Sequence, residues 1–296
     1  MEGQIPFSVG ICAYNEVDNI GSAIESVFYQ EFDGFVMDKV VVISSNSTDG
    51  TDDVVRDLMN RFDRLELIAQ TERKGKNHAI NEFLEFKNTE IVVIMNADNR
   101  LQNANSLQKL LEPFRDPEIG IVGGHPIALN KGDTVASFAS KFEWVIHHHV
   151  AMITPKIGEL IAYRDIGFRL PTDTQNDEEL MRMKIEAAGY KPAYAPEATV
   201  YNRGPETKED LIKQRIRTNI GQTYLESQPD YYNPTRDNKV LIKASIRAAF
   251  EMGFHPIKIL QAAYLEYYCR KEAKKHVEAG KADMNIWERV DSTKKL

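Results

Sequence analysis

Asn96-Ala97-Asp98 follows an apolar run, Ile91 to Met95, and that order has chemical consequences. A carboxylate at the carboxyl end of a buried strand faces the crevice where open α/β sheets bind ligands. A hard cation such as Mg2+ or Mn2+ takes oxygen ligands and fills much of its shell with phosphate oxygens and water, so Asp98 plus a diphosphate makes a metal site. A lone Asp after a strand also serves as a simple turn cap. Arg73-Lys74-Gly75-Lys76 places three cations around a glycine where a helical pattern begins. Side-chain charge, close approach at Gly75 and a helix N-terminus behind it suit a diphosphate. A solvated basic turn has the same composition. Ser47-Thr48-Asp49-Gly50-Thr51 reads either as a polar ligand loop or as a turn capping the next helix.

Further along, Asp177 and Glu178 open a helical run, where an acid is either a proton acceptor or an N-cap. Gln214, Arg215 and Arg217 sit on another helical run, as an anion clamp or as a solvated basic face. His147-His148-His149 is conspicuous. Adjacent helical residues point about 100° apart, so these three do not share one metal; a place for one of them in an acceptor pocket fits better.

These residues need elements to position them. The chain has 296 residues, 42% of them hydrophobic, with a formal net charge of −7. That length and composition support a packed core, and the acidic balance excludes a protein built to coat nucleic acid. Cys12 and Cys269 form no C-x-x-C pair, which fits a reducing compartment. No signal peptide and no apolar stretch of bilayer-spanning length is evident, so the reading is cytoplasmic, with no spanning helix.

Apolar runs at Phe7 to Cys12, Val40 to Ile43, Leu65 to Ala69, Ile91 to Met95 and Ile119 to Gly124 alternate with helical patterns. This predicts an α/β fold with a mostly parallel sheet flanked by helices and covered on both faces. The loops 13–16, 44–51, 71–78 and 96–100 then fall along one sheet edge. Ser106 is expected to cap the helix over Leu107 to Phe114. A helix spans 138–152, residues 154–177 read as irregular, a helix covers 177–188, and Thr207 opens a helix that runs to 227. We divide the chain into 1–227, with a donor half at 1–125 and an acceptor half at 126–227, and a helical C-terminal extension at 228–296. In that extension Ile257, Ile259, Leu260, Ala263, Tyr264, Tyr267 and Tyr268 form an apolar stripe beside Lys258, Arg270, Lys271, Lys274 and Lys275. Such a helix lies on an anionic membrane surface or packs on the domain.

The ordered set Ala13-Tyr14-Asn15-Glu16, Ser47 to Thr51, Arg73 to Lys76 and Asn96 to Asp98, each after an expected strand, resembles the family 2 glycosyltransferases of the GT-A, Rossmann-like fold. The resemblance continues through Gly158-Glu159-Leu160, Asn176 to Leu180, Ala188 to Lys191 and Gln214 to Arg217. It implies an inverting, metal-dependent enzyme that moves a sugar from a nucleotide diphosphate sugar, expected to be UDP-linked, to a sugar or lipid-linked acceptor. By that resemblance Ala13, Tyr14, Asn15, Glu16 and Asp49 touch the nucleotide, and Arg73 and Lys76 lie near base and diphosphate. Asn96 and Asp98 match the D-x-D metal motif, Asp98 as its second Asp. Asp177 matches the general base, with Glu178 as rival, and Gln214 and Arg217 close the site.

Three departures stand out. Ser44-Ser45 replaces acids that contact the base in many members. Asn96 replaces the first Asp of D-x-D. Thr218 replaces the Trp of Gln-x-x-Arg-Trp, which argues against a processive polysaccharide synthase. Two other readings stay open: a nucleotidyltransferase, which needs a glycine-rich loop where Ala13 to Glu16 stands, and a GT-A-fold binding protein without activity.

Overall fold

The computed structural model describes residues 3–172, 177–226 and 231–279, with the backbone alone at Tyr224. The first half alternates strand and helix. β1 (Ile5–Ala13), β2 (Phe35–Ser44), β3 (Leu65–Ala69) and β4 (Ile91–Asn96) are separated by α1 (Ile20–Phe28), α2 (Thr51–Met59) and α3 (Lys76–Phe86). β5 (Arg100–Leu101), α4 (Ser106–Leu111), β6 (Ile119–Ala128) and α5 (Val135–Ala151) follow. The second half adds β7 (Ile161–Arg164), α6 (Asp177–Ala187), β8 (Lys191–Asn202), α7 (Lys208–Glu226), α8 (Asn238–Glu251) and α9 (Pro256–Glu278).

Side-chain alternation explains why the strands are apolar throughout. In β4, Ile91, Val93 and Met95 enter one core, whereas Val92 and Ile94 enter the other. β2 divides in the same way, Val40 and Val42 to one side and Val41 and Ile43 to the other. A strand covered on both faces has no solvent side to mark with polar residues. α1 and α2 close the first core through Ile20, Ile24 and Val55; α3 and α6 close the second through Ile80, Phe83, Met181 and Ile185.

The sheet order is β3-β2-β1-β4-β7-β6-β8-β5. β1 pairs in parallel with both β2 and β4. Successive strands move outward from β1 through β2 to β3, and the chain then crosses to β4. The gap beyond the carboxyl ends of β1 and β4 is therefore a topological switch point, where a ligand crevice forms.

The expectation of a mostly parallel sheet needs correction, because the sheet is mixed. β7 runs antiparallel to both β4 and β6, and β5 runs antiparallel to β8. β7 is four residues long and lies in the stretch read as irregular, too short to show a period. β8, with Pro192 and Pro196 inside it, shows no clean alternation either. Ser106 is the first residue of α4 rather than its cap. Asn105 holds the cap position, and the Ser106 hydroxyl accepts from the Asn103 amide at 3.1 Å. Thr207 does support its helix, accepting from the Asp210 amide at 3.2 Å.

Among the described residues the extension forms two α-helices, because Gly253 and Phe254 both take positive φ and Pro256 restarts the chain. α8 and α9 pack on α5 through Ala248, Ala249 and Ala262 against Phe138 and Phe142. Leu265 of α9 also meets Leu211 of α7. No described helix is long and apolar enough to cross a membrane.

The parallel strands depend on close packing at Gly10. A Cβ there would stand 2.7 Å from the ring of Phe83, which is fully buried. Gly10→Val is expected to lower stability by about 1–3 kcal/mol, the range for overpacking a filled core; urea unfolding of the two proteins measures it.

Candidate active site

The loops after β1 and β2 are laced together. Asn15 adopts φ 51°, a left-handed conformation that Asn tolerates. Its amide donates to Ser47 Oγ at 3.0 Å, and its Oδ1 accepts from the Thr48 amide at 2.8 Å. The Glu16 amide donates to Thr51 Oγ1 at 2.8 Å, and the Ser45 amide donates to the carbonyl of Ala13 at 2.8 Å. Ser44 Oγ donates to Ser47 Oγ at 2.8 Å. Asp49 is the staple. One of its oxygens accepts from the Thr51 amide and hydroxyl, and the other from the Val17 amide. Burial would raise its carboxyl, but these donors outweigh burial and hold it below the ordinary carboxylate range. Asp49 thus shapes the loops after β1 and β2 by anchoring them.

The third loop joins from β3. The Arg73 guanidinium lies 3.9 Å from the centroid of the Tyr14 ring, a cation–π contact that ties it to the β1 loop. Gly75 has φ 89° and serves as the N-cap of α3, with no side-chain cap. The helix therefore starts without a side-chain cap, and a helix N-terminus favours a negative charge beside it.

Lys76, first residue of α3, forms an ion pair with Asp177, first residue of α6, at 2.7 Å. Burial would lower the Lys76 ammonium, but Asp177 and Glu178 more than offset it and hold it above its ordinary value. Glu178 behaves differently. Burial first, and the neighbouring Asp177 second, push its carboxyl up to about 8 against an ordinary 4.5. Glu179 is an anchor: burial would raise it, but Lys156 and Arg182, at 2.7 and 2.9 Å, hold it low. Three consecutive acids thus have three environments. Asn176 lies outside the described residues.

Beyond β4, the Asn96 amide donates to Glu159 Oε2 at 2.6 Å, and Asn99 donates to the same oxygen at 3.3 Å. Burial raises the Glu159 carboxyl, and Asp98 raises it further, while Lys76 and the two amides pull it back. Arg217 on α7 faces the same carboxylates: burial lowers its guanidinium, and Glu159 and Asp98 act against that. The structure therefore brings Asp98, Asn96, Lys76, Asp177, Glu178 and Arg217 to one place. Gln214, one turn before Arg217, is half-buried on α7. Arg215 turns away to Glu143 and Glu266 and ties α7 to α5 and α9.

Glu159 is the residue to which sequence reasoning gave no role. Its signal was a charged residue inside the apolar stretch Ile157 to Tyr163. The three histidines take different partners, although the His148 and His149 rings stay in edge contact at 5.3 Å. His147 is buried, within 3.4 Å of the Ile157 carbonyl, and burial drives it down to about 3. His148 meets the Tyr194 hydroxyl at 2.8 Å, and His149 meets Glu251 at 2.8 Å.

The Glu178 environment makes a pH prediction. The folded protein keeps that proton up to about 8, whereas the unfolded chain releases it near 4.5. The folded state binds more protons between those values, so stability is fully present below 4.5 and is lost as pH rises toward 8. Glu178→Gln removes this loss. Urea-unfolding free energies from pH 5 to pH 9 are expected to fall for the wild type relative to the variant, and parallel curves would contradict the assignment.

Comparison with known proteins agrees with this geometry. A solved mannosyltransferase of Pyrobaculum calidifontis, in complex with GDP-Man and Mn2+, superposes with a TM-score of 0.59 at 24% identity, covering 93% of this chain and 79% of that one. Staphylococcus aureus TarS 1–349 in complex with UDP-GlcNAc superposes at 0.53 with 14% identity, covering 93% and 92%. At these identities the likeness is one of fold. In sequence, the poly-β-1,6-N-acetyl-D-glucosamine synthase of Staphylococcus epidermidis is 22% identical over 223 residues, 70% of this chain and 52% of that protein. The chain thus spans about half the length of the curated relatives it matches. The model of glycosyl transferase family 2 matches residues 8–180, which contain every loop laced together above. The chain belongs to glycosyl transferase family 2.

Proposed function

We propose that the protein is an inverting glycosyltransferase that moves a sugar from a nucleotide diphosphate sugar, a UDP-sugar, to an acceptor hydroxyl in single, non-processive transfers. The observation that carries this reading is the 2.7 Å pair between Lys76 and Asp177. It sets the cation of the diphosphate loop against the carboxylate that serves the acceptor side. For inversion the donor sugar enters between the two and parts the pair, so that the diphosphate lies on the Lys76 side and Asp177 on the opposite face. The acceptor oxygen attacks the anomeric carbon as the bond to the diphosphate oxygen breaks, and the acceptor proton passes to a carboxylate.

Asp177 is the base in this scheme. Burial and the neighbouring Asp177 push the Glu178 carboxyl up and favour its protonated form, which leaves the proton-accepting role to Asp177. Lys76, released from Asp177 by the incoming diphosphate, balances charge on the leaving group, with Arg73 and the start of α3 beside it. Ala13, Tyr14, Asn15, Glu16 and Ser44 form the nucleotide wall, Asp49 holds it in shape, and Gln214 and Arg217 approach from α7. The catalytic unit is 1–227, with its donor half at 1–125.

The residues fit a divalent cation held mainly by donor phosphates. Asp98 is half-buried in the turn, and the buried Asn99 Oδ1 in the same turn has no hydrogen-bond partner among the described residues. Among the described residues no group of three His, Cys, Asp or Glu side chains encloses a metal. Asp98 would therefore hold Mg2+ or Mn2+, with the Asn96 carbonyl oxygen next to it. Such a cation supplies charge neutralisation on the leaving diphosphate. Non-processive transfer is supported at Thr218, whose hydroxyl folds back onto the Gln214 carbonyl at 3.0 Å. No aromatic plane stands at that position to shape an acceptor channel. The acceptor is a sugar or a lipid-linked hydroxyl on the cytoplasmic side of the membrane.

Incubation with UDP- and GDP-sugars in the presence of Mn2+ tests the reading. UDP or GDP is expected to be released slowly, and a donor is expected to raise the melting temperature; a protein that neither binds nor cleaves any of them is a scaffold. Asp177→Asn should keep the donor Kd within a few-fold by calorimetry while kcat falls roughly 10²–10⁴-fold, the usual worth of a general base. Full activity in that variant would move the base elsewhere. Asp98→Ala should abolish the Mn2+-dependent part of the melting shift, and an unchanged shift would place the metal on other ligands.

A further inference from the structure

α8 and α9 each bury one face and leave the other uncovered. Ala244, Ala248 and Ala249 of α8, and Ala262, Leu265 and Cys269 of α9, form the buried sides. On the far side of α8, Ile242, Ile246 and Phe250 follow one another at four-residue spacing, all more than half exposed. Phe250 stacks on Phe254 at 5.8 Å and carries this row across the break between the helices. On α9 the row continues through Ile257, Leu260, Tyr264 and Tyr267, each at least 65% exposed. Ile259, expected in this stripe, instead turns inward and packs near Phe138 and Phe142. Lys258 is likewise engaged, with Asp133.

Charge accompanies the apolar row. Lys239, Lys243 and Arg247 repeat at the same spacing on α8, all exposed, and Lys271, Lys274 and Lys275 stand exposed at the far end of α9. Residues 238–278 contain eight Lys and Arg against four Glu, in a chain whose formal net charge is −7. All four acids are paired, Glu251 with His149, Glu266 with Arg215 and Arg270, Glu272 with Lys275 and Glu278 with Lys274.

We propose that α8 and α9 form one docking surface for an anionic lipid bilayer, lying in the interface rather than crossing it. Apolar side chains beside a cationic row are the pattern of an interfacial helix, and tyrosines favour the depth of the head groups. Each Lys or Arg near an anionic leaflet adds attraction that falls off within a Debye length. A second copy fits this face less well. An isologous contact sets the surface against itself, and the cationic row of one copy would meet its twin without an acidic row to answer it. The bilayer would then lie one helix layer from α7, which carries Gln214 and Arg217, because α9 packs on α7 at Leu211 and Ile212.

The test is independent of any sugar transfer. The full chain is sedimented with vesicles of phosphatidylcholine alone and with vesicles of phosphatidylcholine and phosphatidylglycerol, at low and high salt. The protein is expected to pellet with the anionic vesicles at low salt and to be released by added salt. Lys243→Glu with Arg247→Glu is expected to weaken partitioning at least about tenfold. Leu260→Glu with Tyr264→Glu should do the same, with the melting temperature showing that each variant folds. The first pair changes exposed charges only, so it decides the matter if the second fails to fold. Wild type that stays in the supernatant, or first-pair variants that bind as well as wild type, overturns the proposal. A wild-type dimer that ignores vesicles and is split by these substitutions overturns it in favour of a second copy.

Discussion

Lys76 and Asp177 stand 2.7 Å apart, although about a hundred residues of chain separate them. Lys76 begins α3, which follows β3; Asp177 begins α6, which follows β7 in a later part of the sheet. Their meeting requires α3 and α6 to cover the same face of that sheet, and both do so through one core containing Ile80, Phe83, Met181 and Ile185. An ion pair this enclosed is costly to break one-sidedly, because the remaining charge loses its partner. The pair therefore keeps the amino end of α6 in place. Other constraints follow from the same point. Gly10 lets α3 sit close on β1, and Glu179 ties α6 to Lys156 and Arg182.

Electrostatics in the crevice are graded rather than uniform. Asp98, Glu159, Asp177 and Glu178 would repel one another if all were charged in a buried setting. The fold answers with Lys76 beside Asp177, two amides on Glu159, Arg217 opposite Asp98 and Glu159, and a retained proton on Glu178. A donor carrying a diphosphate and a divalent cation would redistribute these charges. That gives the site a physical reason to respond to its substrate.

The loops after β1 and β2 are held by hydrogen bonds between motifs, whereas α7 is held by its neighbouring helices. Asn15, Ser47, Asp49 and Thr51 lock two neighbouring loops with short polar side chains. α7 is instead fixed from behind, through Arg215 to Glu143 and Glu266, which leaves Arg217 directed toward the carboxylates. This division lets the extension of α8 and α9 brace α7 with one face and keep its other face open.

The sequence by itself determined the alternating core and the edge on which the polar loops gather. Local pattern sufficed because buried parallel strands are apolar throughout and their carboxyl ends carry the loops. The family resemblance singled out Asp177 with Glu178 as its rival, and the tertiary structure gave each of the three consecutive acids its own surroundings: Lys76 at Asp177, burial and the neighbouring Asp177 at Glu178, and Lys156 with Arg182 at Glu179. The mixed sheet was not legible, because β7 is too short to show a period and strand direction depends on partners distant in sequence. Glu159 gained its place only when β7 was inserted beside β4, bringing it to Asn96 and Asn99. Ile257, Ile259 and Leu260 look alike in the sequence, and only tertiary packing decided that Ile259 is half-buried against α5 while the other two face outward. Periodicity marks which positions share a helix face, but which of two apolar faces finds a partner is set by the surface that the rest of the chain presents.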